Sequence, residues 1–241
     1  MPKANRFFQE GCHYHLTHRC HGRAFLFRFA RDRDVYREML RRRLSDYRTP
    51  LLGYSITSNH VHLLATAVTE TRISEMMDAL EGDFAQYYNL RKRRSGAFWG
   101  GRYSATAIES GVHLWRCLIY IELNMVRTGV VSHPEDWAWC SYRELMGQRR
   151  RYRLIDRSHF FEVTGRDPDL ESFREDYRCA IEERIEASEL HWAAEWANGL
   201  AVGSEDYVNE VASRLGNRRC LTREETSGNA WTLREDPSAY A

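Results

Sequence analysis

Residues 58–64, SNHVHLL, place two histidines one residue apart at the start of an apolar run. Strand alternation sends His60 and His62 to one face and Val61 and Leu63 to the other. Two neutral imidazoles at that spacing point into the same space and suit a metal ion, although a solvated polar sheet face has the same pattern. Two histidines do not complete a metal site; a third, oxygen-bearing ligand has to come from elsewhere. The segment HLWRCLIYIELNMVRTG offers one. Wound as a helix at about 100° per residue, it sets His113, Arg116, Cys117, Asn124 and Arg127 within about 60° of Tyr120. Leu114, Leu118, Ile121 and Met125 lie on the opposite side. Tyr120 then stands on a polar stripe between two arginines, with Asn124 one turn on. That arrangement sets a phenol beside a possible oxygen ligand on a polar stripe, or it is a half-buried tyrosine making one hydrogen bond.

Holding these residues requires particular elements. Residues 12–20 alternate as a first strand, and 31–47 follow as an amphipathic helix with Val35, Met39, Leu40 and Leu44 inward. LLGYSITS and HVHLLATAV are strand-like runs that meet at a tight hairpin at Ser58-Asn59. Residues 73–94 form a second helix with a basic end, stopped by Ser95-Gly96, and GAFWGGRYSATAIES is a glycine-punctuated loop leading to a short strand. A third helix covers 113–129 and ends at Gly129. Strand, helix, strand, strand, helix, strand, helix describes a small antiparallel sheet with helices packed on it, in the α+β class. A boundary is expected at 147–155, where GQRRRYR breaks the pattern, giving domains 1–150 and 151–241. The second part reads as mainly helical: 170–198 is strongly helical, 203–216 is a short helix capped by Ser204, and the final stretch from Ser227 onward reads as loosely ordered.

The net charge of +1 conceals an asymmetry. Residues 1–153 hold 25 Lys+Arg against 15 Asp+Glu, and residues 154–241 hold 10 against 19. Nearly all the cations are arginine, whose planar fork suits phosphate and stacks on bases, so the first part fits a polyanionic ligand. In RKRRSGAFWGGRY, residues 91–103, cations interleave with Phe98, Trp99 and Tyr103. This composition suits phosphate neutralisation with base stacking, and equally a solvated helix end followed by core aromatics. Arg91, Lys92, Arg93, Arg94 and Arg102 are the candidate contacts, joined by Arg116 and Arg127 on the third helix. His13, His15, His18 and His21 fit no zinc spacing and read as strand and loop residues. No apolar run approaches the roughly 18 residues of a membrane span, the start lacks a signal-peptide pattern, and six scattered cysteines without a C-x-x-C pair fit reduced thiols. These features point to a cytoplasmic protein.

Three segments taken together, YSITSNHVHLLATA, FAQYYNLRKRRSGAFWGGRYSA and LIYIELNMVRTGVVSHPEDWAWCSYREL, resemble the REP-associated tyrosine transposases, single-tyrosine HUH enzymes of the insertion-sequence IS200-like type. The likeness spans about residues 12–147 in the family's order and spacing. It implies a ferredoxin-like HUH endonuclease fold, with Tyr120 as nucleophile, His60 and His62 as metal ligands, and Asn124 helping to hold the metal. The implied cofactor is Mg²⁺ or Mn²⁺; histidine ligands suit Mn²⁺ at least as well. The implied activity is nicking and strand transfer of single-stranded DNA near palindromic REP-like hairpins, through a 5′-phosphotyrosine intermediate, in DNA transposition. Arg116, Arg127 and the metal are expected to lower the pKa of Tyr120. The implied protein is bacterial, nucleoid-associated when bound to DNA, and acts as a monomer or homodimer without a nucleotide cofactor or membrane. The competing expectation is a domesticated protein on the same fold that binds hairpin DNA without cutting. Ser58 and Met125 stand where the family has proline, which alters local conformation but removes neither ligand nor nucleophile.

Overall fold

The computed structural model describes residues 7–187, 190, 195–216, 221–226 and 229–235. The first half follows the expected order. Strand β1 (His13–Arg19) leads to helix α1 (Ala30–Asp46), the hairpin β2 (Leu51–Ile56) and β3 (His60–Thr66), helix α2 (Arg72–Lys92) and strand β4 (Ser104–Ile108). The four strands lie in the order β2-β3-β1-β4, every neighbouring pair antiparallel, as in a ferredoxin-like sheet. The hairpin turns at Ser58-Asn59, closed by Thr57 N–H donating to the His60 carbonyl at 2.9 Å.

Alternation along β1 and β3 separates two chemistries. His18 of β1 reaches Glu81 of α2 at 2.6 Å, which places α1 and α2 on that face of the sheet. Between them Phe27, Tyr36, Phe84 and Phe98 form a buried aromatic cluster with ring centroids 5.0–5.4 Å apart. Tyr103 is also buried, and Trp99 stacks on His18 at 4.1 Å while its Nε1–H donates to the Glu81 carbonyl. The aromatics of the 91–103 segment therefore belong to the core, where burial of their large apolar area outweighs any role on the surface. Helix α2 ends at Arg93, in the left-handed region (φ 48°), just before the expected Ser95-Gly96 stop.

The opposite face of the sheet carries His60 and His62 and is covered by α3 (Val112–Glu122). Gly53 in β2 lets α3 approach: a Cβ at that position would run into Leu118 Cδ1. The far side of α3 is covered in turn by α7 (Glu171–Glu186). Trp115 lies 5.4 Å from Tyr177, and the Tyr177 hydroxyl donates to the buried Glu122 carboxylate at 3.0 Å. A helix enclosed on both sides is apolar nearly all round, and His113, Leu114 and every residue from Cys117 to Glu122 are buried. The expected single helix 113–129 is interrupted at Leu123 (ψ 3°) and resumes as α4 (Asn124–Arg127), with Gly129 left-handed at φ 69° beyond it.

After α5 (Tyr142–Leu145), the C-terminal half adds α6 (Arg157–Thr164), α7, α8 (Glu195–Asn198) and α9 (Glu205–Leu215). Ser204 caps α9, its Oγ accepting from Tyr207 N–H. This half also supplies three strands: β5 (Ala201–Gly203), β6 (Leu221–Thr226) and β7 (Ala230–Glu235). Strand β5 pairs parallel with β4, so one seven-stranded sheet, β2-β3-β1-β4-β5-β7-β6, runs through both halves. The loose C-terminal stretch expected from sequence is corrected over residues 230–235. There AWTLRE gains strand partners on both sides, β5 and β6, which local propensity alone could not reveal. Of the six cysteines, Cys220 lies outside the described residues and the other five are free thiols.

Candidate active site

His60, His62, Tyr120 and Asn124 converge on one point of the sheet. The His60 and His62 rings are 4.7 Å apart, His62 lies 6.1 Å from the Tyr120 ring, and the Asn124 amide meets His62 Nε2 at 3.0 Å. Strand β1 brings further groups. Its register sets Thr17 opposite His62 and Arg19 opposite His60, so His15, Thr17 and Arg19 share the face of the histidine pair. His15 Nε2 is 2.8 Å from His62 Nδ1, and Thr17 Oγ1 is 3.3 Å from the same atom.

Hydrogen bonding determines which imidazole nitrogens keep a lone pair. The Trp196 carbonyl can only accept, so His15 Nδ1, 2.6 Å away, carries the proton. Burial keeps His15 neutral, its pKa lowered to about 4, so its Nε2 accepts from His62 Nδ1–H. His62, also neutral by burial, is left with a lone pair on Nε2. His60 repeats the pattern. Asn59 Nδ2 donates to the Arg23 carbonyl at 3.1 Å, which turns Asn59 Oδ1 toward His60 Nδ1 at 2.6 Å. Burial, then Arg19 and further cations, lower the His60 pKa to about 3, so its Nε2 is likewise unprotonated. Two backbone carbonyls thus fix, through His15 and Asn59, the tautomers a metal requires.

A divalent cation fits this donor set. Asn124 Oδ1 is buried and, among the described residues, has no hydrogen-bond partner. Rotating the amide brings that oxygen to the place of Nδ2, 3.0 Å from His62 Nε2. Two cis ligands of an octahedral ion at about 2.1 Å are separated by about that distance. Among the described residues no group of three His, Cys, Asp or Glu stands together as a metal cluster.

Tyr120 is only 7% exposed, and its hydroxyl makes no hydrogen bond among the described residues. The Arg127 guanidinium lies over its ring at 4.2 Å and also donates to the Tyr120 carbonyl at 3.2 Å. The expectation that neighbouring arginines lower the phenol pKa holds for Arg127, but the net shift is upward. Burial dominates and raises it, opposed by Arg127 and by Arg19, while Cys117 and Glu195 add to the rise. Arg116 is not among those opposing charges.

The other candidate contacts are scattered. Arg91 pairs with the fully buried Asp32, and Arg94 is held by Asn89 Oδ1 at 2.9 Å and the Ala97 carbonyl at 2.8 Å. Lys92 lies over the exposed Phe29 ring at 4.3 Å, and Arg93 is exposed at the end of α2. Arg102 is exposed in the loop before β4, and Arg116 is half-buried on α3. Arg149, in the basic run 149–153, bonds to the Tyr54 hydroxyl and the Ala138 carbonyl and so serves the fold. Sequence reasoning passed over His15, Thr17 and Arg19. Their signal was the period-two run His15-x-Thr17-x-Arg19, which alternation puts on one face.

The buried histidines make stability depend on pH. His13, bonded to Thr66 and Ser110, has its pKa lowered to about 4, mainly by burial. Between pH 6.5 and 4 the folded state binds fewer protons than the unfolded chain, so stability rises with pH across that window and falls on acidification. For His13 alone the difference is about 3 kcal/mol, and His15 adds in the same direction. Urea unfolding at pH 7 and pH 4.5 is expected to show a midpoint several tenths of a molar or more lower at the acidic pH.

Known proteins bear on this arrangement. The family described as Transposase IS200-like matches residues 8–124, a segment that contains all four site residues and ends at Asn124. Among solved structures, a REP-associated tyrosine transposase bound to a REP hairpin is similar over 61% of this chain and 87% of its own, with a TM-score of 0.53 and 17% identity, which shows a shared fold. A Deinococcus radiodurans protein assigned to the transposases aligns over 45% of this chain and 87% of its own, with 20% identity and a TM-score of 0.36. A search of curated proteins gave no match. Residues 8–124, just under half of the chain, are thus similar in sequence to the IS200-like transposases.

Proposed function

We propose that the protein is a metal-dependent, single-strand-specific DNA endonuclease and strand transferase that acts near hairpin-forming repeats. The observation that carries this reading is the convergence of Tyr120 with the His60, His62 and Asn124 donors on one face of the sheet. The match of residues 8–124 to the IS200-like transposases, the DNA hairpin bound by the structural relative, and the cationic first half support DNA as the substrate.

The Tyr120 oxygen forms a bond to phosphorus, the bond from phosphorus to the 3′ oxygen breaks, and the phenol proton is balanced by the one taken up at the free 3′-OH. The product is a 5′-phosphotyrosine that keeps the phosphodiester's bond energy for rejoining, so no nucleotide cofactor is needed. Arg127 holds the ring from its face and opposes the raised phenol pKa. Arg19, which forms no ion pair among the described residues, stands beside His60 and suits a phosphate oxygen. Held by His60, His62 and Asn124, Mg²⁺ or Mn²⁺ would polarise the scissile phosphate and offset its developing charge.

The test mixes the purified chain, Mn²⁺ and 5′- or 3′-labelled single-stranded oligonucleotides carrying a palindrome. A covalent protein–DNA band is expected with metal and none after chelation, while hairpin binding persists without metal. Binding without an adduct on any oligonucleotide would instead identify a non-cleaving hairpin binder.

A further inference from the structure

Residues 19–31, RCHGRAFLFRFAR, contain four arginines, three phenylalanines and no acid. The three rings have different fates. Phe27 is completely buried in the aromatic cluster beside Phe84 and Tyr36, whereas Phe25 is 69% and Phe29 51% exposed. Two large aromatic side chains thus stand in water four residues apart, and the loop that presents them is tightly fixed. Phe27 N–H donates to the Ser58 carbonyl at 3.1 Å, Cys20 N–H to the Asn59 carbonyl at 2.8 Å, and Arg33 to the Phe27 carbonyl. The loop therefore anchors on the two residues that precede His60, and the Arg23 carbonyl orients Asn59, which in turn orients His60.

The surroundings of the exposed rings are cationic. Lys92 lies over the Phe29 ring at 4.3 Å and Arg28 at 5.7 Å. Among the described residues Arg23, Arg28 and Lys92 form no ion pair, in contrast to Arg91 and Arg43 of the same region. Uncompensated cations around a protein-binding patch would be costly to desolvate, since the cores of such interfaces are depleted of charge. Exposed rings interleaved with free cations match a different partner, a polyanion whose flat faces are available for stacking. Duplex DNA hides those faces between neighbouring base pairs; an unpaired strand offers them.

We propose that Phe25 and Phe29, with Arg23, Arg28 and Lys92, form a stacking platform for the single-stranded DNA that flanks the hairpin and leads it to His60. This deepens the function proposed above and rests on it for the identity of the strand. The platform is preorganised: Phe27 and the bonds to Ser58 and Asn59 hold it, so bound bases order little protein on arrival.

The experiment measures fluorescence anisotropy of the full chain with a labelled, non-palindromic oligonucleotide in EDTA, so that cleavage plays no part. Phe25→Ala/Phe29→Ala is expected to weaken binding about 10-fold or more, and Phe25→Tyr/Phe29→Tyr to restore most of it. Arg23→Gln/Arg28→Gln should flatten the dependence of log affinity on log salt by about 1–2. Affinity for a blunt hairpin without single-stranded flanks should change less than about twofold in the alanine pair. Unchanged single-strand affinity in a folded alanine pair overturns the platform. So does a changed oligomeric state at unchanged affinity, which would mark the patch as a contact between copies of the chain. Wild-type protein that binds no single strand defeats both readings, whereas wild-type binding insensitive to these substitutions defeats only this one.

Discussion

Tyr120→Phe is expected to yield no covalent protein–DNA adduct while binding the same oligonucleotide within about twofold of the wild type. The substitution removes one oxygen whose absence the fold does not notice. Among the described residues that hydroxyl has no hydrogen-bond partner, so no buried donor or acceptor is orphaned by its loss. The ring keeps its packing: Arg127 stays over its face, and Trp196 remains 6.2 Å away. Unfolding free energy should therefore shift by less than about 0.5 kcal/mol, the range of substitutions that break no buried contact. The chemistry has no such tolerance, because phenylalanine offers no oxygen to phosphorus. Strand transfer should fall by about 10⁴-fold or more, on the scale seen when a nucleophile acting within a catalytic unit is deleted. The wild type should also speed up as pH rises above neutral, since burial keeps the phenol protonated there. An adduct that survives in Tyr120→Phe would remove Tyr120 from the mechanism and shift attention to another nucleophile.

The chain announces its centre more clearly than its surroundings. His60 and His62 lie on a strand with strict alternation, and a period of two is enough to put both rings on one face. The first six elements follow from hydrophobic period and turn chemistry, and their order dictates a ferredoxin-like sheet. Legibility fails where a residue's meaning depends on its partner across the fold. Alone, His15 is one more strand histidine; its role comes from pairing with β3 and from the Trp196 carbonyl 181 residues away. Phe98 and Tyr103 look like stacking residues in composition and prove to be core, while Phe25 and Phe29, in an apolar-looking run, prove to be surface. Composition cannot separate these cases because the same ring serves either purpose. Only the packing of α1 against α2 decides which rings are covered. Strand β5 is three residues long, too short to carry a pattern, and exists because β4 and β7 flank it.

The fixed tautomers lead to a graded series in metal affinity. On the proposed function, His62→Ala removes a ligand outright and is expected to weaken Mn²⁺ binding by at least about 100-fold, with loss of cleavage to match. His15→Ala removes no proposed ligand, but it takes away the nearer acceptor of His62 Nδ1–H, leaving among the described residues only Thr17 Oγ1 at 3.3 Å, and the donor of the Trp196 carbonyl. The His62 ring is then free to turn or to shift its proton to Nε2, the atom a metal needs. Loss of such an outer partner typically costs 10–100-fold in metal affinity, so His15→Ala should fall between wild type and His62→Ala. His13→Ala supplies the control. His13 lies on the same strand and face, but it bonds to Thr66 and Ser110 and does not touch the pair, so Mn²⁺ affinity should hardly move. Titration of free Mn²⁺ by electron paramagnetic resonance, with no DNA present, reads these affinities without reference to activity. Equal Mn²⁺ binding by wild type and His62→Ala would show that the histidine pair is only a polar face of the sheet. Equal loss in His13→Ala and His15→Ala would show that general destabilisation, not the orientation of His62, underlies the effect. The order wild type, His15→Ala, His62→Ala with His13→Ala unmoved is the one expected if His15 acts on the metal through His62, because of the two histidines of β1 on that face only His15 shares a hydrogen bond with that ring.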